Sequence, residues 1–249
     1  MGTRHLITIV KDGEFKLAQY GQWDGMPFHQ GSRILAFLKN GDLEALEKGV
    51  DKLFYCTEAE IDLLQQEAGV PAGQDWLDSA QSDRIKDMFP TIHRDTGAGI
   101  FDILEKGSSA SRHHLPAREG LIPTENNIVL AGRPDLEWVY TVDLDSGTFE
   151  TYRAGCDTEL EPTRFSDLIR EAYEGSDEKP CYVHLVGSYR LDDLPSRHDY
   201  RLSTDPEGSQ RYIDYYAEVG ITEEPEYPNQ DSAADSGNEN DGGAPSMGM

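Results

Sequence analysis

The sequence predicts an α+β domain with mixed or antiparallel sheets and helices packed on them. Short turn sequences occur at residues 11–14 and 145–147, and each lies between two segments with the period-two pattern of β-strands. Each of them therefore indicates a β-hairpin. Between the hairpins, apolar residues recur three and four positions apart, the spacing of amphipathic helices. No internal repeat or linker divides residues 1–221, so we expect one domain with roughly five or six strands.

The predicted elements follow in chain order. The first hairpin joins residues 5–10 to residues 15–20 around Asp12-Gly13. Helices are then expected at residues 32–40, 43–50, 58–69, 83–88 and 97–106. Thr57 and Glu60 form a capping box at the start of the third helix. A strand at 128–130, the second hairpin at 138–153, a helix at 164–173, a strand at 181–185 and a helix at 209–219 complete the set.

Residues 222–249 form an acidic tail that we expect to be disordered. The segment contains no Lys or Arg and almost no large apolar residue, and it is rich in Gly, Pro, Ser, Asn and Asp. It cannot bury enough surface to offset its chain entropy. The tail holds seven carboxylates of a chain whose formal net charge is −25, which leaves about −18 on the rest.

Charge and composition exclude several classes of function. The negative field repels phosphate backbones and anionic membranes, so no nucleic acid or membrane partner is expected, whereas a basic protein partner is compatible with it. The chain has three cysteines, which are far apart and unsuited to a disulfide framework. With no apolar stretch of about 18 residues and no signal-like start, we expect a cytoplasmic protein. No GxSxG, HExxH or P-loop motif occurs, and no cofactor is predicted.

The amino terminus offers one catalytic hypothesis. Removal of the initiator Met before Gly2 would place Thr3 one residue from the position of an N-terminal nucleophile. His5 is expected on the same strand face as Thr3 and could act as the base. The alternative is that His5 is a structural strand residue.

The segment QYGQWDG offers a binding hypothesis. It contains amide, phenol, indole and carboxylate groups, all suited to a polar ligand. Its predicted ligand contacts are Gln19, Tyr20, Gln22, Trp23 and Asp24. The alternative is that Trp23 is a core anchor and Asp24-Gly25 is a turn.

Three other groups of residues have a chemical and a structural interpretation. Asp95 or Thr96 can cap the following helix, or the amides of residues 97–99 can join Arg94 in an anion site. Asp143 and Asp145 form a DxD pair that can bind a divalent metal, although a hairpin turn favours the same residues. A basic patch at residues 112–118 includes adjacent histidines, His113 and His114, with no third metal ligand at suitable spacing.

Four stretches together resemble a family of uncharacterised proteins found in bacteriophages and fungi. They are MGTRHLITIV, AQYGQWDG, RDTGAGIFDIL and EWVYTVDLDSGTFETY, in this order within residues 1–155. A weaker match covers VHLVGSYRLDDLP. The family has no established activity, so the resemblance implies a phage-type accessory protein without implying its chemistry.

The resemblance suggests that the four blocks meet in one cleft. Residues expected to line a pocket for a small polar ligand there are Arg4, Gln19, Gln22, Trp23, Asp24, Arg94, Asp95 and Glu137. The first hairpin with its polar run is also similar to the opening of N-terminal nucleophile hydrolases, which implies a layered sandwich and amide hydrolysis. The other hypotheses are a non-catalytic interaction module and a divalent-metal-dependent enzyme.

Overall fold

The computed structural model describes residues 2–74, 76–107, 113–115 and 118–218. The tail predicted at residues 222–249 lies outside the described residues. The strands are β1 (His5–Lys11), β2 (Glu14–Gly21), β3 (Leu53–Tyr55), β4 (Ile122–Thr124), β5 (Trp138–Asp143), β6 (Thr148–Cys156) and β7 (Tyr182–Arg190). The helices are α1 (Ser32–Asn40), α2 (Leu43–Val50), α3 (Glu58–Glu67), α4 (Ser79–Met88), α5 (Gly99–Glu105), α6 (Ser166–Ala172), α7 (Arg197–Thr204) and α8 (Pro206–Glu218).

Five strands form a mixed sheet in the order β2-β1-β5-β6-β7. β1 pairs with β5 in parallel, and the other neighbours in this sheet are antiparallel. β3 and β4 form a separate parallel pair. The predicted α+β class is therefore confirmed, as are the hairpins β1–β2 and β5–β6.

The turns of the two hairpins are linked to each other. Asp12 and Gly13 have φ values of 56° and 72°, as the tight turn of a two-residue hairpin requires. The Asp145 carboxylate accepts hydrogen bonds from the backbone N–H groups of Asp12 (2.9 Å) and Gly13 (2.8 Å). Because Asp145 lies in the second hairpin's turn, this contact fixes the ends of β1 and β5 side by side.

The five-stranded sheet is covered on both faces. On one face, Ile7 and Ile9 pack with apolar residues of α1, α2, α5 and α7. On the other, Leu6 packs with a 3₁₀ turn at Ile128–Gly132 and with α6. The alternation along β1 therefore separates two cores. A sandwich of the N-terminal nucleophile type remains a prediction, since the described strands form one five-stranded and one two-stranded sheet.

A third, smaller core holds the segment that follows α4. Leu64 of α3, Ile85 of α4 and Phe89 are buried together. This packing places residues 90–94 beside β2, next to the segment that follows β4. That juxtaposition creates the cavity described below.

Several predicted elements differ in the structure. The strand predicted at residues 128–130 is wrong, because this segment forms the 3₁₀ turn whose Ile128 and Ala131, three positions apart, face the sheet. A short apolar run does not distinguish a strand from a helical turn. The strands β3 and β4 and the helix α7 were not predicted, since three-residue strands carry too little pattern and α7 is mostly polar.

Candidate functional site

A small cavity lies along the outer edge of β2. Its volume is about 50 Å³, enough for a few water molecules or one small polar group. The lining residues are Gln19, Tyr20, Thr91, Ile92, His93, Arg94, Glu125 and Asn127. Three of them, Gln19, Tyr20 and Arg94, are among the residues predicted to contact a ligand.

Backbone and amide hydrogen bonds hold the walls of the cavity against β2. Gln22 N–H donates to the Arg94 carbonyl (3.3 Å), and Asn127 N–H donates to the Ala18 carbonyl (3.1 Å). The Gln19 side-chain amide Nε2 donates to the carbonyl of His93 (3.3 Å). The block QYGQWDG and the block that begins at Arg94 are therefore neighbours, as the resemblance suggested.

Two buried polar atoms of lining residues have no hydrogen-bond partner among the described residues. They are Oε1 of Gln19, whose residue is 4% exposed, and Oγ1 of Thr91, whose residue is 2% exposed. An unsatisfied buried polar atom costs about 1–3 kcal/mol, and native proteins contain few of them. Two residues that line the cavity therefore carry buried hydrogen-bonding groups that the described protein atoms do not satisfy.

Glu125 adds a carboxyl group to the same wall as Asn127. It is half-buried, and it accepts a hydrogen bond from the Asn127 side-chain amide (3.3 Å). Burial raises the pKa of the Glu125 carboxyl, and the Asn127 hydrogen bond only partly opposes this effect. Within the described part of the chain, Glu125 forms no ion pair that would compensate its charge.

His93 has a structural role beside the cavity. Its Nε2 lies 2.9 Å from Ser82 Oγ, the distance of a nucleophile–base pair. However, Nδ1 accepts the backbone N–H of Asp95 (3.2 Å), so in the neutral ring Nε2 carries the proton and donates to Ser82. Burial lowers the pKa of His93 and favours this neutral form. The ring cannot take a proton from Ser82 in this arrangement.

The catalytic hypothesis for Thr3 and His5 is not supported by a hydrogen bond between them. The His5 ring is 1% exposed, and neither of its nitrogens has a partner in the described structure. The Thr3 carbonyl accepts the Gly25 N–H at 3.0 Å. Burial lowers the pKa of His5 to about 4, partly offset by the nearby Thr3 carbonyl. The structure places His5 between the sheet and the residue 21–25 loop as a neutral, enclosed ring.

The loop after β2 carries the other predicted ligand contacts of QYGQWDG. Trp23 is 48% exposed, so it is not the core anchor that the structural alternative required. Asp24 is exposed and has a φ of 56°, a left-handed conformation that Asp tolerates better than most residues. The cavity is not lined by Gln22, Trp23 or Asp24.

Arg4 directly precedes β1 and Glu137 directly precedes β5, and neither residue lines the cavity. The Arg4 carbonyl accepts the N–H of Glu137 at 3.0 Å, so their backbones are adjacent. The Arg4 guanidinium instead lies 3.6 Å from the Asp135 carboxylate. In the described structure, the side chains of Arg4, Asp24, Arg94 and Glu137 form no hydrogen bond or ion pair with one another, so the single predicted cleft is only partly assembled.

The anion site predicted at residues 97–99 has no free pair of amides. Ala98 N–H donates to the Gln30 side-chain carbonyl (2.8 Å), and Gly99 N–H donates to the Thr96 carbonyl (3.1 Å). The predicted cap is also wrong, since α5 has no side-chain cap and the Thr96 hydroxyl donates to the Pro90 carbonyl. Asp95 is exposed beside Arg94.

Asp143 and Asp145 have structural partners. Asp143 Oδ1 accepts the N–H groups of Asp145 and Ser146, and its Oδ2 pairs with Arg164 at 2.9 Å. Asp145 accepts the hairpin amides described above. The turn interpretation of this pair is therefore supported by specific contacts of both carboxylates.

Replacing Asp145 by alanine is expected to lower the free energy of unfolding by about 1 kcal/mol, because two exposed N–H groups lose a charged acceptor. Asp145→Asn, which keeps one acceptor oxygen, should lose less. Urea denaturation in buffer containing EDTA measures both variants. A loss of stability seen only when a divalent cation is present would contradict the structural role.

The adjacent histidines have separate partners. His113 Nε2 lies 2.9 Å from the Leu121 carbonyl, and His114 Nδ1 lies 2.5 Å from the Glu67 carboxylate. Arg112 of the predicted basic patch lies outside the described residues. Over the ranges that the structure describes, no three His, Cys, Asp or Glu side chains are grouped in a way that could hold a metal ion.

No family model, curated protein or solved structure matches this chain. The resemblance to the bacteriophage and fungal family therefore remains a prediction. None of the described helices is long and apolar enough to cross a membrane.

Proposed function

We propose that this protein binds a small polar ligand, or the polar head of a larger one, in the cavity along β2. The observation that carries the proposal is the pair of unpartnered buried atoms, Gln19 Oε1 and Thr91 Oγ1, on residues that line one cavity. A ligand that hydrogen-bonds to both would remove their desolvation cost.

The surroundings of the cavity suit a binding site. Its walls are held in place by backbone hydrogen bonds to β2, so little ordering is needed when a ligand enters. Tyr20 and Ile92 supply apolar surface, while Gln19, Thr91 and Glu125 supply polar atoms. This mixture of apolar walls and a few polar groups is typical of ligand pockets.

The proposal is confined to binding. Hydrolysis at Thr3 would need a base in hydrogen-bond reach of its hydroxyl. His5 has no such bond, and its pKa of about 4 makes it a weak base. Ser82 faces the nitrogen of His93 that carries the proton in the neutral ring.

Replacing Thr91 by valine is expected to leave the free energy of unfolding unchanged or to raise it by about 1 kcal/mol. The substitution removes a buried hydroxyl that has no protein partner while keeping the shape of the side chain. Residues that bind a ligand often lower the stability of the fold, so replacing one of them can raise it. Urea denaturation at neutral pH measures the change.

Thr8→Val is the matched control. The Thr8 hydroxyl is also buried, but it is hydrogen-bonded to Thr141 Oγ1 (2.8 Å) and to the Tyr140 carbonyl (3.3 Å). Its removal should lower the free energy of unfolding by about 1–2 kcal/mol. Equal destabilisation by Thr91→Val and Thr8→Val would indicate that the Thr91 hydroxyl is satisfied inside the protein and would count against the site.

Direct binding is tested by NMR with three small probes of different charge: acetate, N-methylacetamide and methylguanidinium. The proposal expects at least one probe to shift the amide signals of Gln19, Ile92 and His93 saturably. The same probe should bind more weakly to Thr91→Val. If all three probes leave these signals unchanged, the cavity holds only water and the proposal fails.

A further inference from the structure

The polar atoms of the lining residues that lack a protein partner are mainly acceptors. Gln19 Nε2 already donates to the His93 carbonyl, so the free end of this amide is Oε1, which can only accept. The Glu125 carboxylate is also an acceptor when it is ionised, and the Thr91 hydroxyl can accept or donate. A ligand that complements these groups must bring hydrogen-bond donors.

The carboxylate of Glu125 also lacks a balancing charge. Its described side-chain contact is the neutral amide of Asn127, and no described Lys, Arg or His is paired with it. Its raised pKa has burial as the cause, which means that the ionised form is poorly solvated there. A cation beside it would supply the missing stabilisation.

The remaining charges do not oppose a cation strongly. Arg94 lines the cavity, but its side chain is exposed, so solvent and salt screen its charge. Glu125 is half-buried, and its interactions are screened less. The formal net charge of −25 also raises the local concentration of cations around the protein.

We infer that the ligand head that enters this cavity is a cation with several N–H donors, such as a guanidinium or ammonium group. The inference rests on the proposed function and names the chemical class for the same site. The Gln19 carbonyl and the Glu125 carboxylate would accept from the head, and the Thr91 hydroxyl would complete its contacts. With a volume of about 50 Å³, the cavity has room for a head of this size.

The experiment compares methylguanidinium with N-methylacetamide, a neutral amide of the same number of non-hydrogen atoms, and with acetate. Each is titrated into the ¹⁵N-labelled full chain in mildly alkaline buffer at constant ionic strength. We expect methylguanidinium to bind at least about tenfold more tightly than the neutral probe, the difference typical of a charge-assisted hydrogen bond. This comparison needs no variant protein.

Glu125→Gln is the decisive variant, because it keeps the size of the side chain and removes its charge. It should weaken methylguanidinium binding about tenfold. Glu174→Gln, at an exposed position after α6, makes the same change in net charge and should not alter binding. Undiminished binding to Glu125→Gln would overturn the inference.

The outcomes separate the inference from the proposed function. Tighter binding of acetate, or equal binding of the neutral probe, would overturn the cationic assignment and leave the binding site intact. An absence of binding by all three probes would overturn both. Preference for methylguanidinium that is lost in Glu125→Gln supports both.

Discussion

Replacing Gly21 by alanine is expected to lower the free energy of unfolding by about 3 kcal/mol. A Cβ atom at this position would lie less than 3.0 Å from Cε1 and Nε2 of the His5 ring. The ring cannot move away from the new methyl group, since it is 1% exposed and also lies against Gly25. Overpacking of a buried position costs about 1–3 kcal/mol, and a rigid ring falls at the upper end. Chemical denaturation measures the loss.

The double variant His5→Ala, Gly21→Ala distinguishes this cause from a general loss of strand flexibility. Removing the ring makes space for the new methyl group, so the two substitutions should cost less together than the sum of their separate costs. A difference of at least about 1 kcal/mol is expected for residues in direct contact. Purely additive costs would show that Gly21 is required for another reason.

Acidification from pH 7 to pH 5 is expected to remove about 2 kcal/mol of stability through His5 alone. The folded-state pKa of His5 is about 4, against 6.5 in the unfolded chain, so the unfolded state binds more protons in this interval. Stability therefore falls as the pH falls through this window. The full effect below pH 4 is about 3 kcal/mol, since each tenfold change in proton affinity is worth 1.36 kcal/mol.

His5→Leu isolates this contribution. His29 and His93 also have pKa values lowered by burial, so they destabilise the fold in acid in the same direction. The quantity to compare is the pH dependence of wild type minus that of His5→Leu, measured by urea denaturation at several pH values. Equal pH dependence of the two proteins would mean that His5 is not held neutral.

The local parts of the fold could be predicted because their signals lie within a few residues. Asp12-Gly13 forms the turn of the first hairpin, and the capping box of Thr57 and Glu60 is present at α3. Asp42 caps α2 through the Ala45 N–H, as its position suggested. The parallel pairing of β1 with β5 could not be read from the sequence, since its strands are separated by more than a hundred residues.

The candidate site could be predicted only in part for the same reason. The sequence predicts Gln19 and Arg94 as ligand contacts because they stand in unusual polar blocks, and both line the cavity. Thr91 and Glu125 carry the open hydroxyl and the uncompensated charge, yet nothing in their neighbouring residues distinguishes them. Thr91 reaches the cavity because the third core places residues 90–94 beside β2, and Glu125 reaches it from the segment that follows β4. The glycines of QYGQWDG are likewise explained by a residue that is distant in sequence, since Gly21 and Gly25 both lie against His5.

We propose that the cavity along β2 binds a donor-bearing cation, and a high-resolution crystal structure of the full chain grown with methylguanidinium is the decisive measurement. We expect a planar group in the cavity, with nitrogen atoms about 2.8–3.2 Å from Gln19 Oε1 and from the Glu125 carboxylate. A cavity closed by repacked side chains, with Gln19 Oε1 bonded to a protein donor and no probe bound, would contradict it.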